Sequence, residues 1–336
     1  TDEPENIYNM RFDVIIGNPP YQLDDGGFGK SAKPIYHMFV QKAKRLNPRF
    51  LSMIMPARWY NGGKGLNDFR AEMLSDRSTS QLHDFPDTAD CFPGINIRGG
   101  VCYFLWERDY SGDCTIINYK GDDISEPLAR PLLEDGFEIF VRYNKAISIL
   151  KKVQKLKEDS FSSIVSPRKP FGFATNFTQF SNVKNKQNSI YLFRFGDNGY
   201  VSSSQIEKNN EWVNKWKVLV PKASPGDDSY PHLILSKPLI SQPLSCCTET
   251  YVVAGTFDNE SKAKNAAMYM GTLFFRFMVL LAKSTQDVTR KTYVFSPIQD
   301  FNKEWTDELL FSKYGIDEEE IEFIKTLIRP LELSYE

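Results

Sequence analysis

Four consecutive residues near the start of the sequence, Asn18-Pro19-Pro20-Tyr21, combine a side-chain amide with two prolines and an aromatic ring. Each proline holds its own φ at about −65° and also restricts the residue before it. Such rigidity can aim the Asn18 side-chain oxygen and the Pro19 carbonyl oxygen at one point. Two acceptors there can hold both N–H bonds of a planar amino group and favour a tetrahedral nitrogen as a new bond forms. The motif therefore predicts transfer of a group to such a nitrogen, with Tyr21 as a flat surface beside it.

The segment before the motif indicates where the motif lies. Residues 12–16 form a short β-branched run that ends at Gly17, a pattern typical of a buried strand. Open parallel sheets bind their ligands at the carboxyl ends of strands, and the motif leaves such an end. The alternative is a proline-stiffened turn with no chemical role. The apolar strand and Asp13 in front of the motif favour the chemical interpretation.

Strand and helix patterns alternate over residues 11–120. Apolar residues at helical spacing predict helices over 33–46 and 66–74, and buried strands are predicted at 50–56 and 82–85. Residues 99–106 and 115–119, separated by a turn, predict a late hairpin at the edge of the sheet. This alternation predicts the α/β class, with a parallel sheet covered by helices on both faces.

The sequence changes character after a helix predicted at 144–157. Short strand-like segments lie among loops rich in Pro, Ser and Asn, and a long helix over 263–283 and an acidic helix over 317–327 follow. We therefore predict two domains, residues 1–157 and residues 158–336, of which the second is a loop-rich α+β module. A chain of 336 residues suits this division, because single cores rarely grow beyond about 250 residues.

Composition argues against several classes of protein. Hydrophobic residues make up 41% and aromatic residues 14%, as in a well-packed globular protein rather than a disordered one. The five cysteines include no CxxC pair and no histidine at ligand spacing, so no metal site is expected. The longest apolar run, residues 269–282, is too short for a membrane span. With no signal-peptide pattern at the start, we expect a cytoplasmic protein with reduced thiols and no membrane contact.

The motifs resemble those of one enzyme family. Residues 13–21 resemble motif IV of S-adenosylmethionine-dependent amino-methyltransferases in its adenine-specific form. Segments at 52–59, 69–74, 84–85, 91–93 and 99–105 resemble later motifs of the same family. The arrangement is similar to Eco57I-like methylases of bacterial restriction–modification systems, followed by a TaqI-like target-recognition region. The resemblance implies a partial Rossmann-like catalytic sheet, S-adenosyl-L-methionine as the methyl donor, and adenine N6 of double-stranded DNA as the acceptor.

The same resemblance implies roles for individual residues. Asn18 and Pro19 would bind the adenine amino group, and Tyr21 would stack on an adenine flipped out of the duplex. With Pro20 these are the candidate catalytic residues, and Asn18 and Asp13 are the candidate contacts to the donor. The family's glycine-rich donor loop is not found before the motif. We therefore expect a fragment that is inactive alone, with an upstream or separate restriction endonuclease or helicase as a possible partner.

Charge and loop composition point to the region that would contact DNA. Residues 151–250 carry 14 Lys/Arg against 8 Asp/Glu, whereas the whole chain has a net charge of −2. A polyanion would meet this middle third, although an uneven solvated surface explains the same numbers. Loops that combine cations and amides suit phosphate contacts and base-edge recognition. The candidate DNA-binding residues are Arg168, Lys169, Lys184, Lys186, Gln286, Arg290 and Lys291.

Two other functions remain open from the sequence. Ribosomal RNA guanine methyltransferases and release-factor glutamine methyltransferases use the same Asn-Pro-Pro-aromatic motif, but those enzymes usually end soon after the sheet. A non-catalytic DNA-binding specificity module would explain the missing donor loop, but it gives no reason to keep Asn18. DNA adenine methylation is the interpretation that both the motif and the long second module favour.

Overall fold

The computed structural model describes residues 10–23, 33–97, 99–224, 231–283 and 287–335. The chain forms two compact units, residues 1–147 and residues 148–336. The division falls inside the helix Asn144–Gln154 (α3), whereas the sequence pattern places the boundary just after it.

The first unit contains a mixed sheet with helices in the crossover connections. Before α3, its elements are β1 Val14–Gly17, α1 Tyr36–Arg45, β2 Phe50–Pro56, α2 Asn67–Ser75, β3 Thr79–Phe85, β4 Val101–Glu107, β5 Cys114–Lys120, β6 Asp123–Ile124 and β7 Leu128–Arg130. The strand order is β1-β2-β4-β3-β5-β6, and β7 also pairs with β5. β1 and β2 are parallel, with Gly17 opposite Met53, and β3 and β5 are parallel. This arrangement confirms the predicted α/β class and is that of a partial Rossmann-like sheet.

The prediction that residues 99–106 and 115–119 form a hairpin at the sheet edge is wrong. β4 lies between β2 and β3 and is antiparallel to both, and it does not pair with β5. The physical reason is that β4 is too apolar for a sheet edge: it contains four buried residues, Val101, Cys102, Phe104 and Trp106. Such a strand is stable where another strand pairs with it on each side and a core covers its face. Because β2 and β3 both run opposite to β4, β1, β2, β3 and β5 have their carboxyl ends at one edge of the sheet.

The second unit is α+β. After the end of α3, its elements are β8 Ile190–Phe193, β9 Gly199–Val201, β10 Trp216–Pro221, β11 Leu239–Ser241, β12 Ser245–Cys247, β13 Tyr251–Phe257, α4 Glu260–Gly271, α5 Leu273–Ala282, α6 Asp307–Tyr314 and α7 Glu318–Leu327. The strands form two three-stranded sheets, in the orders β11-β10-β13 and β12-β8-β9. This confirms the α+β character expected for the second module.

The long helix predicted over 263–283 is two helices. Thr272 has an extended backbone (φ −65°, ψ 154°), and its hydroxyl accepts a hydrogen bond from Phe275 N at 3.1 Å. The Asp307 carboxylate accepts from Leu273 N and Phe274 N, each at 2.9 Å. These bonds satisfy amides at the start of α5, so the chain can bend by 66° between α4 and α5. Apolar side chains continue through the bend, which is why periodicity does not reveal it.

The acidic residues predicted to open the last helix do so. Asp317 caps α7, its side chain accepting from Glu320 N at 3.0 Å while the Glu320 side chain accepts from Asp317 N at 3.1 Å. The Glu320 carboxylate also accepts from Ser148 at 2.7 Å and pairs with Lys152 at 2.5 Å. Within the described residues no single helix is long and apolar enough to cross a membrane; the bent pair α4 and α5 passes that test of length and composition only when taken together.

Candidate adenine-binding site

Asn18 lies at the carboxyl edge of the sheet. β1 ends at Gly17, and the Asn18 side chain that follows it is exposed, while Pro19 is buried. A buried proline ring holds the backbone of the motif against the unit, and the amide beside it stays accessible. This is the arrangement that the motif predicts for a side chain that meets a ligand from solvent.

Tyr21 is held by backbone and by packing. Its carbonyl accepts a hydrogen bond from Ile35 N at 3.1 Å, just before α1, and its half-buried ring packs against the core of the first unit. Burial, with smaller effects of Cys91 and Cys102, raises the pKa of the phenol to about 12. The hydroxyl is buried and has no hydrogen-bond partner among the described residues. Tyr21 is therefore a neutral, fixed ring beside Asn18.

A buried ion pair lies at the carboxyl end of β3, which β2 and β4 separate from β1 in the sheet. The Asp84 side chain is fully buried and accepts from Arg142 Nε at 2.6 Å and from Arg142 Nη2 at 2.8 Å. The Tyr60 hydroxyl donates to it at 2.8 Å and Asn118 Nδ2 at 3.4 Å. Burial lowers the pKa of Arg142, but the Asp84 carboxylate outweighs it and raises that pKa above its ordinary value. The pair is charged on both sides and fixes the end of β3.

Two glycines complete this edge. Arg142 Nη1 donates to the Gly99 carbonyl at 2.8 Å. Gly100 has φ +75°, and a Cβ there would overlap the carbonyl oxygens of Phe85 and Pro86. Only glycine lets the chain pass this close to β3 before β4 begins. Sequence reasoning assigned no role to Asp84 or Arg142; an acidic residue at a strand's carboxyl end, followed by a Gly-Gly pair, was the available signal.

The thiol of Cys102, near the start of β4, is enclosed in the core. Trp59 Nε1 donates to Cys102 Sγ at 3.4 Å, and burial raises the pKa of the Cys102 thiol to about 12. A protonated, enclosed thiol is a packing group and not a nucleophile. Among the residues that the structure describes, no three His, Cys, Asp or Glu side chains are placed to hold a metal ion.

The structure does not bring Asp13 together with Asn18. Asp13 precedes β1 at its amino end, where its carbonyl accepts from Phe50 N at 2.8 Å. Four residues of extended chain lie between Asp13 and Asn18, so the two are five steps apart, roughly 16 Å at about 3.3 Å per step. A donor that contacts Asn18 at the carboxyl edge would not reach the Asp13 side chain in this arrangement, so Asp13 takes no part in what we propose below.

The predicted DNA-binding residues fall into two groups in the second unit. Arg290 lines a cavity of about 740 Å³ together with Pro167 and Lys208. Pro167 immediately precedes the predicted residues Arg168 and Lys169 in the sequence. Arg168 is paired with Glu249 at 2.5 Å, and Arg290 Nε donates to the Ser162 carbonyl at 2.8 Å. Lys291 is exposed. Gln286 lies outside the described residues.

Lys184 and Lys186 form the other group. Both are exposed in a turn closed by Asn185, whose side-chain oxygen accepts from Gln187 N at 2.9 Å and Asn188 N at 2.7 Å. Lys184 lines a second cavity, whose other lysines, Lys237 and Lys264, were not among the predicted residues. They come from separate loops and a helix, so their convergence has no signal in the sequence.

Comparison with known proteins gives two sequence matches. Residues 2–92 match the model of the Eco57I restriction-modification methylase family. A protein of Mycoplasma pneumoniae described as an uncharacterized adenine-specific methylase is 42% identical over 128 residues, which cover 36% of this chain and 30% of that protein. The chain thus spans about a third of the length of this curated relative.

Two solved structures resemble the chain at low identity. The type IIG restriction endonuclease BpuSI aligns with 92% of this chain and 50% of its own, at 10% identity and a TM-score of 0.39. The type IIL restriction–modification enzyme MmeI, solved in complex with DNA, aligns with 84% of this chain and 45% of its own, at 11% identity and a TM-score of 0.43. Residues 2–92 of this chain are thus similar to a restriction–modification methylase family, and a stretch of 128 residues is similar to a protein described as an adenine-specific methylase.

Proposed function

We propose that this chain supplies the amino-group-binding edge of a DNA adenine-N6 methyltransferase and part of its DNA-binding surface. The observation that carries the proposal is the exposed Asn18 amide at the carboxyl end of a parallel strand, backed by the buried Pro19 and the fixed Tyr21 ring. S-adenosyl-L-methionine, when bound, supplies an electrophilic methyl group. Our assignment concerns only what the residues of this chain do with the acceptor.

The chemistry follows from the acceptor's planar nitrogen. Its lone pair is delocalised into the purine ring, so the amino group is a weak nucleophile. We assign the Asn18 side-chain oxygen and the Pro19 carbonyl oxygen as acceptors for its two N–H bonds. Fixed dipoles of this kind favour the pyramidal nitrogen of the transition state, and they also orient it. No carboxylate base is needed, because the methylated cation loses its proton readily.

Tyr21 would hold the ring of the flipped base. The Ile35 amide and the core fix its position before any ligand arrives, so little side-chain entropy is lost on stacking. The phenol hydroxyl is buried and faces no described partner, which makes the ring, and not the hydroxyl, the useful part.

The fit of the donor to this chain is partial. Asn18 is the one predicted donor contact that lies at the carboxyl edge, and residues 1–17, which precede it, contain no Gly-x-Gly pattern that could hold a nucleoside there. β1 has no described neighbour on its far side, and its Val14 and Ile16 side chains are 53% and 78% exposed. We propose that further strands of the catalytic sheet cover this apolar edge and bring the donor-binding loop. A restriction endonuclease or helicase partner remains part of the same proposal.

The test is methyl transfer by the protein that contains this chain, measured as incorporation of label from S-adenosylmethionine into duplex DNA. Asn18→Ala should lower the rate by about 100- to 1000-fold, the range for loss of one preorganised hydrogen-bond partner. Asn18→Asp keeps an acceptor oxygen and should retain more activity than the alanine variant. Because Asn18 is exposed, both variants should keep the melting temperature and the DNA affinity of the parent protein.

Substrate controls separate the competing functions. Structured RNA and a glutamine-containing peptide take the place of DNA in the same assay, and methylation of either one in preference to DNA would reject the DNA assignment. Unchanged DNA methylation by Asn18→Ala would reject the role of Asn18. Binding of DNA with no methylation by the parent protein under any donor concentration would identify a non-catalytic specificity module.

A further inference from the structure

One face of a small sheet in the second unit carries three aromatic rings that the core does not enclose. In the sheet β12-β8-β9, Ile190 and Leu192 of β8 and Val201 of β9 are buried in the core. Tyr191 and Phe193 alternate with them on β8, so they lie on the opposite face, although Phe193 is also in contact with the core cluster. Tyr200 is directly opposite Tyr191 in the register.

These rings form a contiguous surface. Ring centroids of Tyr191 and Phe193 are 4.9 Å apart, and those of Tyr191 and Tyr200 are 5.4 Å apart, both nearly edge-to-face. All three side chains are half-buried and line a cavity of about 1020 Å³. We call this cavity the aromatic groove.

Lysines surround the aromatic groove. Lys184, Lys237 and Lys264 line it, and Glu260 is its one acidic lining residue among those described. Glu260 pairs with Lys264 at 3.2 Å. Lys184 has no ion-pair partner within the described residues, and Lys237 Nζ lies 5.4 Å from the centroid of the Tyr335 ring. Among the described residues, the groove therefore holds two lysines that no carboxylate neutralises, Lys184 and Lys237, and one lysine, Lys264, that is already paired.

We propose that the aromatic groove binds the sugar–phosphate backbone of one strand of double-stranded DNA. Phosphates would contact Lys184 and Lys237, and the aromatic face would pack against deoxyribose. A polyanion is favoured because the groove combines unpaired cations with apolar rings, and because residues 151–250 carry the chain's excess of positive charge. The choice of DNA rests on the proposed function, but the binding tests below need no methyl transfer.

The first test measures binding of the protein to a 30-bp duplex of mixed sequence by fluorescence anisotropy over a series of salt concentrations. The logarithm of the DNA association constant falls linearly with the logarithm of the salt concentration, and each phosphate contact contributes about 0.9 to the steepness of that line. Loss of one contact therefore makes the line shallower by about 0.9 and weakens binding about eightfold at 0.1 M salt. The double variant Lys184→Ala/Lys237→Ala should therefore bind about 60-fold more weakly at 0.1 M salt. Lys184→Arg/Lys237→Arg should restore binding. Lys325→Ala, which removes an exposed lysine of α7 paired with Glu322, is the matched control and should change nothing.

The second test uses a change of opposite sign. Glu260→Gln releases Lys264 from its ion pair, so it should raise DNA affinity by up to about eightfold and steepen the salt slope. Lys264→Ala should have a smaller effect than Lys184→Ala, because Lys264 is already neutralised. A purely structural role for these residues would not predict an increase on Glu260→Gln. Circular dichroism confirms that each variant is folded.

Several outcomes would overturn the proposal. Unchanged slopes for Lys184→Ala/Lys237→Ala would show that DNA does not contact the groove. Equal displacement of duplex by polyglutamate, with loss of polyglutamate binding in the same variants, would assign the groove to an acidic protein segment. Preference for the single strand over the duplex would assign it to unpaired bases stacking on Tyr191 and Tyr200. A negative result in these binding tests would not contradict the role of Asn18, because the Asn18 variants are compared by their methylation rates at saturating DNA concentration.

Discussion

Replacing Arg142 by methionine should destabilise the first unit by about 3 to 5 kcal/mol, the cost of leaving one member of a buried ion pair without its partner. Asp84 would keep only the Tyr60 hydroxyl at 2.8 Å and the Asn118 amide at 3.4 Å. Two charge-assisted hydrogen bonds to the carboxylate and one to the Gly99 carbonyl would be lost. The Asp84 side chain is fully buried in the parent structure, so its carboxylate has no contact with bulk solvent there that would offset these losses.

A double-mutant cycle shows whether the charge is the cause. In Asp84→Asn/Arg142→Met neither position of the pair carries a buried charge, so the double variant should be more stable than the sum of the single changes predicts, by about 2 kcal/mol. Arg108→Met is the control, because Arg108 pairs with the exposed Asp109 at the surface of the same unit. That variant should not change stability measurably.

Urea unfolding, with hydrogen exchange followed by mass spectrometry in peptides from β3 and β4, gives the local free energy of opening. The expected result is faster exchange in both strands for Arg142→Met and recovery in the double variant. The reasoning would be refuted if the two single changes were additive, or if Arg142→Met were as stable as Arg108→Met. Either result would mean that Asp84 is hydrated or that the pair contributes only packing.

Three further outcomes are expected in unfolding experiments. Gly100→Ala should lower the melting temperature far more than Gly121→Ala, because both glycines have positive φ but only Gly100 has carbonyls in the space of a Cβ. Burial lowers the pKa of Lys217 to about 8, so the unfolded state binds more protons above pH 8, and stability should rise between pH 8 and 10 by up to about 3 kcal/mol relative to Lys217→Met. Asp307→Ala should cost about 1 to 2 kcal/mol by removing the acceptor for two amides of α5, with Asp307→Asn less affected.

Local patterns predicted the elements of the first unit well. The run from Phe50 to Pro56 is a strand with the predicted bounds, because its β propensity and burial agree. The acidic helix predicted over residues 317–327 is α7, and the structure adds that Asp317 forms a capping box at its start. In each case the information lies within a few residues.

Non-local pairing was not predictable in the same way. The sequence of β4 predicts a buried strand, but it contains no signal that β4 pairs between β2 and β3, which both precede it in the chain. The bend at Thr272 depends on a carboxylate 35 residues later in the chain, at Asp307. The Asp84–Arg142 pair joins residues 58 apart, and the aromatic groove joins strands β8 and β9 to several loops and to α4. The motif at Asn18 was found because its chemistry is contained in four consecutive residues.

The position of β4 has a consequence for synthesis of the chain. β2 is complete at Pro56, but its partner across the sheet ends at Glu107, so ribosomal elongation at about 5 to 20 residues per second delays that pairing by roughly 3 to 10 seconds. During this interval the nascent β2 and β3 each present hydrogen-bonding groups with no β4 to receive them. Chains made close together on one message could exchange β4 at this stage, and a chaperone that covers extended apolar segments would suppress that exchange.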